Sequence, residues 1–488
     1  MRMRLWLIAS LVASMALAAC TPNEAYRKVA AVPTVACQSE GASGMPAPCR
    51  QAITETTTDY DLHFVEFDDE GWTYPEAAAI GRDPQADQSS QQLRLVIERL
   101  KAAERKQPVR VFVFVHGWKH NAAFDDDNVV SFRNFLKEAA LYEEVAQSGN
   151  RVVGIYAGWR GKSLDVAEPW ISASFWDRKS AAQRVAVGSI RELTAQLRAF
   201  QRHANGMQYG AEKKFALPND QRVRVYMIGH SFGGLALYAA VSQSLVNGLV
   251  SGEDIDGKNA PVERLGDMIV LINPAFEATR FQPLDRAARN RKYDVYQSPI
   301  FVAITSDADA ATGKLFPLGR TLNTLLESEL TVEERNANRN TPGHVDAYLT
   351  HRLDLSGTKT VACDGWTADP KSPAEMAENI QLEFKNSEVF NAQLTDERWP
   401  LDGTGKPFSR IFCGGVVLTP LGGQPEPFSN PDPNMPLWNV TVTADIIPDH
   451  NDINRPIFRA FLRQLFLDEY FNAGFRVRTR PPEHQLPK

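Results

Sequence analysis

The sequence predicts an α/β fold: a mostly parallel, doubly wound sheet with helices on both faces. Two observations predict it. Short β-branched and aromatic runs alternate with helical periods from about residue 60 to residue 305, the rhythm of repeated strand–helix–strand units. Several of those runs are apolar almost throughout, as strands covered on both faces must be. Composition agrees. The chain has 488 residues, 43% of them hydrophobic and 23% charged, with 53 Lys and Arg against 59 Asp and Glu, a net charge of −6. These values exclude a disordered chain, a collagen-like chain and a polytopic membrane protein. The acidic balance argues against a nucleic-acid-binding face, which needs clustered positive charge.

The chain starts with an address. Arg2 and Arg4 precede an apolar run from Leu5 to Ala19, too short to span a bilayer and suited to a secretory signal in residues 1–19. The run ends Leu17-Ala18-Ala19-Cys20, which resembles the lipobox of bacterial lipoproteins. That resemblance implies removal of the signal, lipidation of Cys20 and attachment to a membrane. Thr21 in place of Asp favours the outer membrane of a bacterial envelope. An ordinary signal cleaved near Ala19 is the alternative. Cys37, Cys49, Cys363 and Cys413 remain. An even count in an exported chain reads as two disulfides, and proximity favours Cys37–Cys49 and Cys363–Cys413. No C-x-x-C is present, so no zinc or thioredoxin-like chemistry is indicated.

Residues 20–59, rich in Ala, Pro, Ser and Thr, read as a tether. The core is expected over 60–324. Leu62–Phe67 is expected as an edge strand, and Gln91–Ala103 as a helix with Leu93, Val96, Ile97 and Leu100 on one face. Val109–Val115 reads as a central strand. Phe132–Val145 reads as helix, Arg151–Tyr156 as strand, and Ala181–Phe200 as one long amphipathic helix. Arg222–Ile228 is expected as strand and Phe232–Val246 as the helix behind it. Asp267–Ile272 and Pro299–Thr305 are two further strands. Residues 325–435, rich in Asn, Thr, Pro and Gly, break the rhythm and read as an insertion before the last strand. The sheet resumes at Trp438–Thr443, and residues 436–488 hold that strand, a loop and a helix at Pro456–Glu469.

Strand 222–228 runs into Gly229-His230-Ser231-Phe232-Gly233-Gly234 and then a helix. This is G-x-S-x-G in strand–turn–helix context. The turn is tight, and Gly229 and Gly233 leave room where helix passes strand. Ser231 is thrust above the sheet at a helix start, whose dipole favours developing negative charge. The bland alternative is a glycine-rich helix start with a capping serine. Strand 109–115 ends in His116-Gly117-Trp118.

These residues resemble the α/β-hydrolase superfamily, in its esterase and lipase branch, over roughly 105–310 and 436–470. The resemblance implies an α/β-hydrolase-type sheet with a C-terminal insertion before the last strand. It implies a serine esterase with Ser231 as nucleophile and the backbone N–H groups of Trp118 and Phe232 as the oxyanion hole. Losing one such donor costs about 3 kcal/mol of transition-state stabilisation. The order of the superfamily is Ser, acid, His. Asp307 and Asp309 compete for the acid in Ser306-Asp307-Ala308-Asp309. The superfamily often places its acid three residues beyond a small residue in this turn, so the resemblance implies Asp309, counted from Ser306, and leaves Asp307 to cap the next turn. His450 fits the base by order, in the loop after the last strand, although it lies 141 residues beyond Asp309. His344, only 35 residues beyond it, is the alternative, and His351 is a weaker one. His116 and His230 flank the site and are expected to fix loops by hydrogen bonding.

Three motifs carry nothing. Gly161-Lys162-Ser163 ends like a P-loop, but Tyr156 stands where its first glycine belongs. His116 and His120 have zincin spacing without the zincin glutamate. Asp125-Asp126-Asp127-Asn128 reads as a helix start before it reads as a calcium loop. The proposed chemistry needs no metal or organic cofactor. The apolar stretch Val166–Trp176 is either a lid or buried packing. The expectation is therefore an exported serine hydrolase cleaving carboxylic esters, lipid or phospholipid esters among them. Its alternatives are a non-catalytic envelope lipoprotein that uses the fold as a scaffold, and an amidase or peptidase with the same triad.

Overall fold

The computed structural model describes residues 21, 23–30, 45–74, 91–162, 175–206, 221–250, 262–291, 293, 297–324, 327–357, 360–393, 409–421 and 434–479. The expected signal, the lipidation site Cys20, Cys37 and most of Val166–Trp176 lie outside them.

The strands are β1 (Thr54–Thr56), β2 (Tyr60–Phe67), β3 (Val109–Val115), β4 (Arg151–Trp159), β5 (Arg224–His230), β6 (Met268–Ile272), β7 (Phe301–Ser306), β8 (His351–Leu355), β9 (Arg410–Ile411), β10 (Val416–Pro420) and β11 (Leu437–Val442). Among the described residues, the α-helices longer than one turn are α1 (Gln91–Glu104), α2 (Asp127–Val145), α3 (Phe175–Val187), α4 (Ile190–Ala204), α5 (Phe232–Val250), α6 (Ala278–Arg289), α7 (Phe316–Asn323), α8 (Val332–Arg339), α9 (Pro373–Gln393) and α10 (Pro456–Thr479). Among the described residues, these eleven strands form one sheet in the order β1-β2-β4-β3-β5-β6-β7-β11-β8-β10-β9. Pairing is parallel from β2 through β8 and antiparallel at both edges.

Two cores sandwich the sheet. Along β3, Val111, Val113 and Val115 face one core, with α1, α3, α4, α5 and α6. Phe112 and Phe114 face the other, with α2 and α10. This period-two alternation with both faces buried is why the strand has no polar side. Helix α5 is apolar nearly all round, as a helix packed inside a domain is.

Four expectations change. Strand β2 is not an edge: it lies between β1 and β4, and seven of its eight residues are buried. The tether is docked in its described parts. Buried Arg27 pairs with Glu55 at 2.8 Å and stacks over Phe64 at 3.7 Å, and β1 pairs with β2. Residues 181–200 form two helices, α3 and α4, parted by Gly188, a poor helix former. Here the Ser189 N–H donates to the Gly71 carbonyl at 2.8 Å instead of continuing a helix.

The expected insertion, finally, does not stand apart from the sheet. It supplies β8, β9 and β10, and β11 slots between β7 and β8. The Cys363–Cys413 disulfide joins its two halves. Glu383 on α9 receives two hydrogen bonds from Arg463 on α10, at 3.0 and 2.8 Å. Cys49 is also disulfide-bonded.

Candidate active site

The carboxyl ends of β5, β6, β7 and β11 converge on one cluster. Ser231 follows β5 with φ +55°, a left-handed conformation disfavoured for a residue with a Cβ. The neighbourhood enforces it. The Ser231 N–H donates to the Ile272 carbonyl at 3.0 Å, and the Ala275 N–H donates to the Ser231 carbonyl at 3.2 Å. A Cβ on Gly233 would come within 2.1 Å of the Val115 carbonyl oxygen, so only glycine lets α5 pass this close to β3.

His450 lies in the loop after β11. Its Nε2 is 2.8 Å from Ser231 Oγ, and its Nδ1 is 2.7 Å from Asp309 Oδ2. Asp309 is buried in the turn after β7. A carboxylate only accepts, so Nδ1 carries the proton and Nε2 presents a lone pair to the serine hydroxyl. Burial works to raise the Asp309 pKa. Hydrogen bonds from His450 and Thr312 outweigh it and hold the carboxyl below its ordinary range. Asp309 Oδ1 also accepts from the Ala311 and Thr312 N–H groups, at 2.8 and 3.1 Å.

The other candidates fall elsewhere. Asp307 is exposed, and the capping expected of it is done by Asp309. His344 sits behind the acid, not beside the serine. Thr312 Oγ1 donates to Asp309 Oδ2 at 2.6 Å and receives His344 Nε2–H at 3.1 Å. Burial lowers the His344 pKa, opposed by Asp309 and Asp307. His351 is buried on β8, against Trp438. The sequence carried no signal for Thr312, which became visible only through the turn after β7.

The loop after β3 lies against the serine: a Cβ on Gly117 would come within 2.9 Å of Ser231 Cβ. His116 shapes this loop. Its Nε2 accepts from the Trp159 N–H at 2.9 Å and its Nδ1–H donates to the Gly117 carbonyl at 2.9 Å. Burial drives its pKa down to about 4, so the ring is neutral, as those two bonds require. The Lys119 N–H donates to the Gly161 carbonyl at 3.0 Å, closing the loop. Phe232 is the first residue of α5, where the N–H has no partner within the helix. Trp118, Phe175 and Phe232 form an aromatic chain, with centroids 5.2 and 4.8 Å apart.

Asp126 caps α2, accepting from the Asn128 N–H at 2.9 Å. His120 is 3.2 Å from the same carboxylate. The acidic run is therefore a helix start. Among the described residues, no cluster of metal-ligating side chains occurs.

No family model, curated protein or solved structure matches the chain.

Proposed function

We propose that the protein is a serine hydrolase of the α/β-hydrolase type that cleaves carboxylic esters through Ser231, His450 and Asp309. The observation that carries this reading is the continuous hydrogen-bonded chain Ser231 Oγ–His450–Asp309, at 2.8 and 2.7 Å, drawn from three separate strand ends. A core histidine satisfied by any local acceptor has no need of a strained serine on its other side.

His450 Nε2 takes the Ser231 proton as Oγ forms a bond to the ester carbonyl carbon. Asp309 stabilises the imidazolium and fixes its tautomer. The Trp118 and Phe232 N–H groups receive the developing oxyanion. Imidazolium then protonates the departing alkoxide. Water, deprotonated by the same ring, cleaves the acyl-enzyme to a carboxylic acid and free serine. The Trp118–Phe175–Phe232 chain supports an apolar acyl group beside the oxyanion donors. The lipoprotein-like start at Cys20 would hold such an enzyme at the bacterial envelope membrane, near lipid esters.

A fluorophosphonate probe should label Ser231 in one-to-one yield, and Ser231→Ala should abolish both labelling and turnover of p-nitrophenyl acyl esters. A folded protein that resists the probe, with ester turnover equal in Ser231→Ala, would overturn the reading.

A further inference from the structure

Asn273 follows β6, between the nucleophile strand and the acid strand, and is fully buried. Its φ is +45°, a conformation that asparagine tolerates better than most residues. Its main chain is already engaged, the N–H donating to the Ile304 carbonyl at 2.7 Å. The side-chain amide then makes two bonds to different parts of the cluster. Oδ1 accepts from the Ser306 N–H at 2.9 Å, and Nδ2 donates to the His450 carbonyl at 3.0 Å. The partners fix the orientation of the amide, because one offers a proton and the other can only accept.

A second donor reaches the same carbonyl. His230 Nε2–H donates to the His450 oxygen at 2.9 Å. Burial, followed by the charge of His450, lowers the His230 pKa to about 3, so that ring stays neutral and keeps its single proton for this bond. Ser306 adds a third tie, its Oγ–H donating to the Ile447 carbonyl at 2.6 Å.

We infer that Asn273, with His230, is a positioning residue that holds the main chain of His450 so that its ring bridges Ser231 and Asp309. This rests on the hydrolase reading for its kinetic consequence, though not for its geometry. The base loop is long in sequence separation from both partners, so little local structure fixes it. Two donors on one carbonyl, each from the rigid end of a central strand, remove that freedom. Asn273 touches both the base loop and the end of the acid strand, so it also helps to set the distance between them. A misplacement near 1 Å costs on the order of 100-fold in rate.

Two variants test this. Asn273→Asp is isosteric and keeps an acceptor for the Ser306 N–H, but faces the His450 carbonyl with an oxygen. Asn273→Gly tolerates the backbone conformation and removes both bonds. Folded protein is selected by its thermal transition and near-ultraviolet circular dichroism. The first readout is the downfield proton resonance of His450 Nδ1–H, which needs no turnover. The second is the fluorophosphonate labelling rate of Ser231, with kcat and KM for a p-nitrophenyl ester.

Loss or broadening of the resonance in both variants is expected, with kcat and labelling down about 10- to 100-fold and KM within about twofold. Variants that keep the resonance and label at the unaltered rate would overturn the inference. An unaltered protein that never labels, but whose resonance still disappears in the variants, would overturn the hydrolase reading and leave the positioning role standing.

Discussion

Strands β3 and β5 carry buried polar clusters at both ends, and the two clusters work in opposite ways. At the amino end, Arg110 meets Glu143 at 2.7 Å, and Arg224 meets Glu469 at 2.6 Å. Arg264 reaches the other Glu469 oxygen at 2.8 Å. Burial disfavours the Arg224 charge, but Glu469 outweighs it and raises the pKa above its ordinary range. At the carboxyl end Ser231, His450 and Asp309 form one hydrogen-bonded chain of hydroxyl, imidazole and carboxylate. Saturated ion pairs can hold a fold in register. A hydrogen-bonded chain from a buried carboxylate through an imidazole to a strained serine can pass a proton.

The sharpest way to break this contrast is at the carboxyl end. Ser231→Ala should lower ester turnover by about 10⁶-fold and leave the denaturation midpoint nearly unchanged, since alanine keeps the Cβ and so bears the same strained φ. Asp309→Asn should cost about 10⁴-fold, because an amide can present N–H to His450 and favour the wrong tautomer. Asp307→Asn, two residues away and exposed, should stay within about twofold of the parent by the same logic. Equal losses at 307 and 309 in a p-nitrophenyl ester assay would move the acid.

The amino end should respond in stability. Glu469→Ala takes the 2.6 Å carboxylate partner from buried Arg224 and leaves the longer Asp267 contact at 3.4 Å. The loss should be about 3–5 kcal/mol, read by urea unfolding, with Ser231 labelling of the folded fraction unaltered. A variant that unfolds no more easily but labels slowly would mean that the two ends are not separable.

The contrast also explains what could be read in the sequence. The central strands were legible because burial on both faces leaves a nearly unbroken apolar run, as in Met268–Ile272. Ser231 was legible because its turn restricts residue type at several neighbouring positions. Strand β8 was not. Its sequence HRLDL has one face buried and one exposed, it pairs outside the last strand in chain order, and a five-residue alternation is too short to stand out from loop. The positions of Asp309 and His450 depended on the order of strands, which is a tertiary property. Asn273 had no signal, since an asparagine after a strand reads as an ordinary turn residue. Its role exists only once three strand ends and a distant loop meet.

The smallest expected effect concerns the buried imidazoles. Burial lowers the pKa of His63 and His116 to about 4 and of His230 and His351 to about 3. In the unfolded chain each titrates near its ordinary value, about 6.5. Between about pH 6.5 and pH 4 the unfolded state therefore binds protons that the native state does not, and stability falls as pH falls. Asp309, with its depressed pKa, adds a loss only below about pH 4. Each fully engaged imidazole contributes a slope of about 1.4 kcal/mol per pH unit. His116 and His230 cannot be removed without disturbing the carboxyl end, whereas His351 lies on β8 against Trp438. His351→Phe should flatten the pH dependence of the urea midpoint by about one proton's worth between pH 6 and pH 4, with labelling of Ser231 at pH 7 unaltered. An unchanged slope would mean that this ring already carries its proton in the native state. The acid sensitivity would then rest on His63, His116 and His230, and the last two support the candidate active site, so that part of the stability would depend on the same protons as that site.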